Sequence, residues 1–208
     1  MRLTIQGIED GGRIPPRFAF GVQDPVEHVR LGDNQNPAIS REDIPESARS
    51  LVLLCVDTDV PSRPDDVNQE GRIVPADLPR TEFYHWVMVD IPAGCTGVSE
   101  GECSRGVTAG GKQDPLGPAG SRQGRNDYTA WFTGDAGMSG TYLGYDGPCP
   151  PWNDSIPHHY HFVIYATDLD RCPVEGSFGG QDVRAAIEGH VLAEARLTGV
   201  YWLNPDLD

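Results

Sequence analysis

Apolar residues cluster in three segments that have the length and composition of β-strands. Ser50–Val56 is a continuous apolar run, which is typical of a strand buried on both faces. Phe83–Ile91 is rich in aromatic and β-branched residues and ends at Pro92, and His158–Tyr165 has the same character. Shorter strands are predicted at Leu3–Ile5, Arg17–Phe20 and Arg196–Trp202.

Helical periodicity is confined to one segment near the end of the chain. Between Gln181 and Val191, Asp182 is placed to cap a first turn, and apolar residues recur at a spacing of four, at Val183, Ile187 and Val191. The pattern predicts one short helix over this segment.

The remaining chain is dominated by turn-forming residues. Gly32–Pro37 is dense in turn formers, and Arg41–Ser47 is predicted to be a helical turn or a loop. Residues 64–80 and 93–142 lack regular patterning, and the second segment is rich in glycine and proline. Because a loop that long within a compact domain is usually functional, we expect residues 93–142 to form subunit contacts or a lid over a site.

Composition agrees with a β-rich fold. The 208 residues include 25 glycines and 18 prolines, which is too many for a helical bundle, and 38% of the residues are hydrophobic, which argues against disorder. The length is within reach of a single domain, and we predict one mainly β domain over residues 1–208.

Charge and cysteine content exclude several functions. The net charge of −15 disfavours binding to nucleic acid and to anionic membrane surfaces, so an anion bound by this protein must be small and held by local donors. The five cysteines are odd in number and have no CxxC spacing, which argues against a disulfide framework or a zinc site.

The distribution of apolar residues shows no targeting signal. The opening MRLTIQGIEDGG has no long apolar segment, and no stretch approaches the roughly 20 apolar residues of a membrane span. The sequence therefore predicts a cytoplasmic protein without integral membrane association.

Candidate chemistry lies at the ends of the three main strands. Strand alternation predicts that Asp57 and Asp59 share a face, and that His158 and Tyr160 share another. In the middle strand it places His85 on one face, together with Val87, Val89 and Ile91. Taken one at a time, these polar residues have ordinary structural roles as turn acceptors or satisfied core side chains, so the hypothesis depends on their convergence.

Two imidazoles and a phenol hydroxyl at one place would form a small oxyanion site. An aspartate beside a histidine raises the pKa of the histidine and fixes its tautomer, so the carboxylates would hold the imidazoles as donors. The same set also matches a metal site with two histidines and one carboxylate, or a histidine acting as a general base. Against catalysis, the sequence has no GxSxG elbow and no HExxH pair.

Five motifs resemble those of the phosphatidylethanolamine-binding protein family, which includes the Raf kinase inhibitor proteins. They are similar to three family signatures and to its bacterial YbhB/YbcL branch: DTDVPSR at Asp57–Arg63, YHWVMVDIP at Tyr84–Pro92, GPCPPWNDSIPHHYHFVIYATD at Gly147–Asp168, EGHVLAEARLTGVY at Glu188–Tyr201 and NPAI at Asn36–Ile39.

The resemblance implies an antiparallel β-sandwich with Greek-key topology, a few short peripheral helices and a non-catalytic anion pocket without a cofactor or metal. By position, the implied ligand-binding residues are Asp57, Asp59, His85, Cys149, Pro151, His158 and Tyr160. The implied partner is a small anion or a phosphorylated or phospholipid head group.

Other functions remain open at this point. The resemblance also allows a kinase or protease inhibitor that acts through the loops at 93–142, and a hydrolase dependent on histidine and aspartate is a further alternative. The bacterial branch is compatible with a homodimer. His159 stands where the family often has arginine, and Trp152-Asn153 where Lys-Gly is common, so two cations are missing near the implied pocket.

Overall fold

The computed structural model describes residues 1–208 and is mainly β, with 35% of residues in strands and 8% in helices. The strands are β1 Arg2–Ile5, β2 Gly21–Asp24, β3 His28–Leu31, β4 Ile39–Glu42, β5 Ser50–Pro61, β6 Arg80–Pro92, β7 Gly97–Val98, β8 Arg122–Gln123, β9 His158–Thr167 and β10 Val191–Tyr201. The helices are α1 Tyr128–Trp131, α2 Gly180–Ala186 and two 3₁₀ turns at Pro16–Phe18 and Pro205–Leu207. No helix has the length and apolar character needed to span a membrane.

The strands form three antiparallel sheets. The largest has five strands in the order β10-β9-β5-β6-β8, a second has the order β1-β4-β7, and β2 pairs with β3. The three strongest apolar segments of the sequence are β5, β6 and β9, which are neighbours at the centre of the large sheet. The predicted antiparallel β fold with few short helices is therefore confirmed, whereas the Greek-key connectivity stays a prediction.

Apolar residues cover both faces of the large sheet. On one face, Leu53 and Phe162 belong to the inner cluster, a group of 24 buried residues that also includes Ile39 from the three-stranded sheet. On the other face, Val52 and Leu54 belong to the outer cluster, a group of 11 buried residues that includes Val183 of α2. Burial on both faces explains why β5 has an uninterrupted apolar sequence rather than an alternating one.

Two irregularities in β6 decide which side chains point to which face. β5 pairs Cys55 with Trp86 and then Val56 with Tyr84, so His85 is an extra residue in the ladder. A second shift lies near Asp90, which has a φ of +58°. An extra residue of this kind reverses the alternation of side chains beyond it.

The predicted sharing of one face by His85, Val87, Val89 and Ile91 is therefore wrong. Val87 and Val89 lie in the outer cluster, whereas Ile91 lies in the inner one. His85 contacts Tyr160, a member of the inner cluster, edge to face at 5.1 Å between ring centroids. The bulge thus turns His85 toward the same side as the end of β9.

Short segments near the N-terminus also differ from the predictions. Arg17–Phe20 is not a strand, because Pro16 begins a 3₁₀ turn that ends at Phe18, and the strand β2 starts later. The beginning of Arg41–Ser47 is part of β4, where Arg41 pairs with Leu3. Leu3–Ile5 is confirmed within β1.

The helix predicted to run to Val191 is shorter. α2 ends at Ala186, and Val191 begins β10. Asp182 does cap the helix, but from its third position, where its carboxylate accepts a hydrogen bond from the Gly179 N–H at 2.8 Å. Gly189 reverses the chain with a φ of +80°, which permits the turn into β10.

Replacement of Gly189 by alanine should destabilise the fold by about 1 kcal/mol, because a side chain is strained at positive φ even though no atom lies within 4 Å of the added Cβ. Urea unfolding measures the loss. Gly94→Ala is the control, since Gly94 also has open space but no positive φ, and it should leave the unfolding free energy unchanged. Equal effects of the two substitutions would contradict the explanation.

Candidate functional site

A cavity of about 410 Å³ opens at one end of the large sheet. It is lined by six of the seven residues that the sequence predicted for a binding site: Asp57, His85, Cys149, Pro151, His158 and Tyr160. The structure places the seventh, Asp59, outside this lining. The Asp59 carboxylate instead accepts hydrogen bonds at 2.8 Å from the backbone N–H and the ring Nδ1 of His159.

His158 lies between two carboxylates on the floor of the cavity. Its Nδ1 is 2.7 Å from Asp57 Oδ2, and its Nε2 is 3.0 Å from Asp154 Oδ2. Asp154 is paired in turn with Arg80, at 2.6 Å from Nη1 to Oδ2 and 3.1 Å from Nη2 to Oδ1. These four residues form a buried ionic row, Asp57–His158–Asp154–Arg80.

The ionic row is electrically balanced when His158 is protonated. Burial alone lowers the pKa of His158, but the charges and hydrogen bonds of Asp57 and Asp154 outweigh it and raise the pKa to about 9. Burial also raises the pKa of Asp57, but its interactions with His158 outweigh that and leave the pKa below its usual value. Because both ring nitrogens of His158 donate to carboxylates, the ring has no N–H left for a ligand, contrary to the expectation that both imidazoles face an anion as donors.

His85 presents a different imidazole to the cavity. Its Nδ1 donates to the backbone carbonyl of Asp146 at 2.8 Å, which leaves Nε2 as the nitrogen available to a ligand. Burial lowers the pKa of His85, with a partial opposing effect from Asp57. His85 is therefore neutral at pH 7, and Nε2 gains a proton only when an anion nearby favours it.

Asp146 fixes the position of His85 and of the long loop together. Its carboxylate is fully buried and accepts hydrogen bonds from Asn34 Nδ2 at 2.7 Å, Lys112 Nζ at 2.6 Å and Asn126 Nδ2 at 2.8 Å. Lys112 and Asn126 belong to the segment 93–142, so that segment is attached to the site by charge-assisted hydrogen bonds.

Tyr160 carries the one hydroxyl of the cavity floor that has no hydrogen-bond partner. Its side chain is 0% exposed, and the hydroxyl is unpaired within the protein. Burial raises the pKa of Tyr160 well above its usual value, and the charge of the nearby Asp57 carboxylate, which the hydroxyl approaches without forming a regular hydrogen bond, adds to the effect, so the hydroxyl keeps its proton. An unpaired buried donor costs free energy unless a ligand accepts its hydrogen bond.

Aromatic side chains form the wall of the cavity. Phe20 stacks on Tyr128 of α1 with 4.4 Å between ring centroids, and the Tyr128 hydroxyl donates to the Gly147 carbonyl at 2.8 Å. Trp131, which is 47% exposed, lies at the rim beside Phe132. The lining contains no lysine or arginine, so the cavity combines a polar floor with an apolar wall.

Several of these residues were not predicted from the sequence. Asp154 is four residues before His158, but that spacing has no meaning outside a helix, and Arg80 belongs to the unpatterned segment 64–80 of the sequence. Phe20 and Tyr128 are brought to the cavity by tertiary packing alone. The only usable signal was YTAWF at residues 128–132, an apolar island within a polar segment.

The ionic row makes a prediction about stability at alkaline pH. A histidine whose pKa is raised from 6.5 to about 9 contributes stability that is fully present below pH 6.5 and is lost as the pH rises through 9. The loss amounts to about 3 kcal/mol at most. Urea unfolding between pH 6 and 10 should show it in the wild-type protein.

The comparison for this prediction is His158→Gln, which should be less stable at pH 6.5 and should lack the decline above that pH. His161→Gln, on the same strand but outside the row, is the control and should retain the decline. Parallel curves for wild type and His158→Gln would disprove the assignment of charge to His158.

Known proteins are similar to this chain in both sequence and fold. A family model described as phosphatidylethanolamine-binding protein matches residues 4–202. A UPF0098 protein of Methanothermobacter thermautotrophicus is 36% identical over 97% of this chain and 98% of its own. The UPF0098 protein YbhB of Escherichia coli is 27% identical over 97% of this chain and 99% of its own.

Solved structures agree with the sequence comparisons. The crystal structure of Escherichia coli YbcL, described as a new member of the mammalian PEBP family, superposes with a TM-score of 0.66 at 25% identity and covers 97% of both chains. A phosphatidylethanolamine-binding protein homologue from Chlamydia trachomatis gives a TM-score of 0.63 at 26% identity and covers 96% of this chain and 95% of that one. The chain therefore belongs to the phosphatidylethanolamine-binding protein family, a family of binding proteins.

Proposed function

We propose that this protein binds, without chemical conversion, small molecules that have a phosphate-like oxyanion head group and an apolar body. The observation that carries the proposal is the buried, unpaired hydroxyl of Tyr160 on the floor of an apolar cavity. The hydroxyl can donate to an oxyanion, and the surrounding wall can cover an apolar substituent.

The floor of the cavity suits a head group that carries negative charge. Tyr160 supplies a permanent donor, and His85 supplies a second donor at Nε2 once it is protonated. The negative charge of Asp57 is offset by its ion pair with His158, which reduces repulsion of an anion.

The wall of the cavity suits an apolar body. Phe20, Phe83 and Phe132 line it, together with Met138 and three prolines from two loops. Each buried CH₂ group of a ligand is worth about 0.8 kcal/mol. Proline-rich loops hold this shape without an ordering cost on binding.

Binding accounts for the polar residues better than catalysis does. A general base needs a free nitrogen lone pair, and His158 has none because both of its nitrogens face carboxylates. The neutral ring of His85 has a lone pair on Nε2, but burial lowers the pKa of His85 and makes it a weak base. No group of three or more histidine, cysteine or acidic side chains is arranged to hold a metal ion. Inhibition of a kinase or protease stays a prediction from the family resemblance.

Tyr160→Phe tests the proposal with little risk to the fold, because the hydroxyl forms no regular hydrogen bond within the protein. Hexyl sulfate, an ester with a phosphate-like head, should bind the wild-type protein more tightly than inorganic sulfate does. The substitution should weaken binding of hexyl sulfate roughly tenfold or more, the loss expected for a hydrogen bond to a charged group. Isothermal titration calorimetry measures both affinities.

Tyr165→Phe is the matched control, since Tyr165 lies on β9 but packs against the outer cluster of the sheet. It should leave the affinity unchanged. Binding that is the same in all three proteins would show that the head group does not reach the floor of the cavity.

Affinity for hexyl sulfate should increase as the pH falls from 8 toward 5. Burial lowers the pKa of His85, so the free protein holds a neutral ring, and anion binding must take up a proton to turn Nε2 into a donor. The increase is up to about tenfold for each pH unit. Sulfate esters keep their charge over this range, so the pH dependence belongs to the protein.

His85→Asn is the matched variant for this experiment, because the asparagine amide can still donate to the Asp146 carbonyl. It should bind more weakly than wild type at pH 5 and show little change with pH. A wild-type affinity that is constant between pH 5 and 8 would exclude His85 from the head-group site.

A further inference from the structure

The buried charges beneath the cavity are matched by opposite charges within the protein. The ionic row contains two carboxylates and two cations, joined by contacts of 2.6 to 3.1 Å. Asp146, whose carbonyl holds His85, has its carboxylate paired with Lys112 Nζ at 2.6 Å. The lining of the cavity contributes no lysine or arginine. The site therefore has no positive charge in reserve for a ligand.

One group in the cavity can gain a positive charge when an anion enters. His85 donates from Nδ1 to a carbonyl and has no partner at Nε2, so its ring can take up one proton. The ring of His158 already carries its proton, and the Tyr160 hydroxyl donates without a change of charge. The ionisable side chains around His85 come from β5, β9, α1 and the loop before β9, and they are Asp57, His158, Tyr160, Tyr128, Asp146 and Cys149. None of them can supply a second new cation.

A second negative charge on the head group would therefore stay uncompensated. Asp57, His85 and Tyr160 are each 3% exposed or less, so water screens charges at the floor only weakly. A buried charge without a partner is costly, and the Asp57 carboxylate on the same floor adds repulsion. The protein as a whole carries a net charge of −15 and has no long-range field that favours a dianion.

We infer that the cavity selects head groups that carry one negative charge and excludes the doubly charged form of phosphate monoesters. The inference rests on the proposed function and deepens it by naming the charge class of the ligand. Sulfate esters and phosphate diesters enter as they are, whereas a phosphate monoester enters only after it has taken up a proton.

Three ligands with the same hexyl chain separate charge from the other properties of the head group. Hexyl sulfate and hexyl methyl phosphate carry one negative charge between pH 5 and 8, whereas hexyl phosphate gains its second charge with a pKa of about 6. Isothermal titration calorimetry should give similar affinities for hexyl phosphate and hexyl methyl phosphate at pH 5. At pH 8 hexyl phosphate should bind about a hundredfold more weakly than the diester, because about one molecule in a hundred is still singly charged.

Calorimetry in buffers of different ionisation enthalpy counts the protons that are taken up on binding. At pH 7.5 hexyl phosphate should take up about one proton more than hexyl methyl phosphate does. His85→Asn should lower the count for both ligands and keep the difference, because the extra proton belongs to the ligand. His161→Asn, which replaces a histidine outside the cavity lining, is the control and should leave both counts as in wild type.

Equal affinities of hexyl phosphate and hexyl methyl phosphate at pH 8, with equal proton uptake, would overturn the inference and leave the proposed function standing. If none of the three ligands binds at pH 5, the proposed function fails and the inference fails with it. Melting temperatures identify a variant that does not fold, in which case the ligand series in the wild-type protein decides.

Discussion

The site depends on one interaction, the protonated ring of His158 held between the carboxylates of Asp57 and Asp154. This ring joins the end of β5 to the start of β9, and Asp154 extends the connection through the proline-rich loop to Arg80 on β6. Buried charges are expensive to place in a protein interior, and a row of alternating charges with short contacts offsets that expense. Three strands and a loop are thereby fixed at the point where the cavity has its floor.

A balanced floor changes the role of the remaining polar groups. Since the charge of His158 is used within the protein, the groups left for a ligand are the hydroxyl of Tyr160 and one nitrogen of His85. His85 reaches the cavity only because the β5–β6 ladder contains an extra residue at this position. Irregular pairing thus determines which imidazole is structural and which is available.

The sequence predicted the parts of the fold that follow from local patterns. The three apolar runs gave the central strands of the large sheet, and six predicted residues line one cavity. Strict alternation failed in β6, because the bulges at His85 and Asp90 depend on pairing with β5 rather than on the strand's own sequence. For the same reason, the sequence alone could not show that the ring of His158 is charged and the ring of His85 is neutral.

Long-range packing was the other part that local patterns could not provide. Phe20 and Tyr128 are more than 100 positions apart in the chain, yet their rings stack at 4.4 Å in the wall of the cavity. Asp146 joins Asn34 and Lys112 through hydrogen bonds that no periodicity marks. Such contacts form only when the sheets bring the loops that carry these residues close together.

One part of the aromatic wall is contributed by a different segment of the chain from the ionic floor. Trp131 and Phe132 come from α1 and the residue after it, within the long irregular segment, whereas the floor residues come from β5, β6 and β9 and the loop before β9. Substitutions in that segment could enlarge or narrow the space for a ligand's tail while the charged residues beneath stay in place. Relatives that bind different ligands could therefore differ at a few aromatic positions of the wall and keep the same residues for binding the head group.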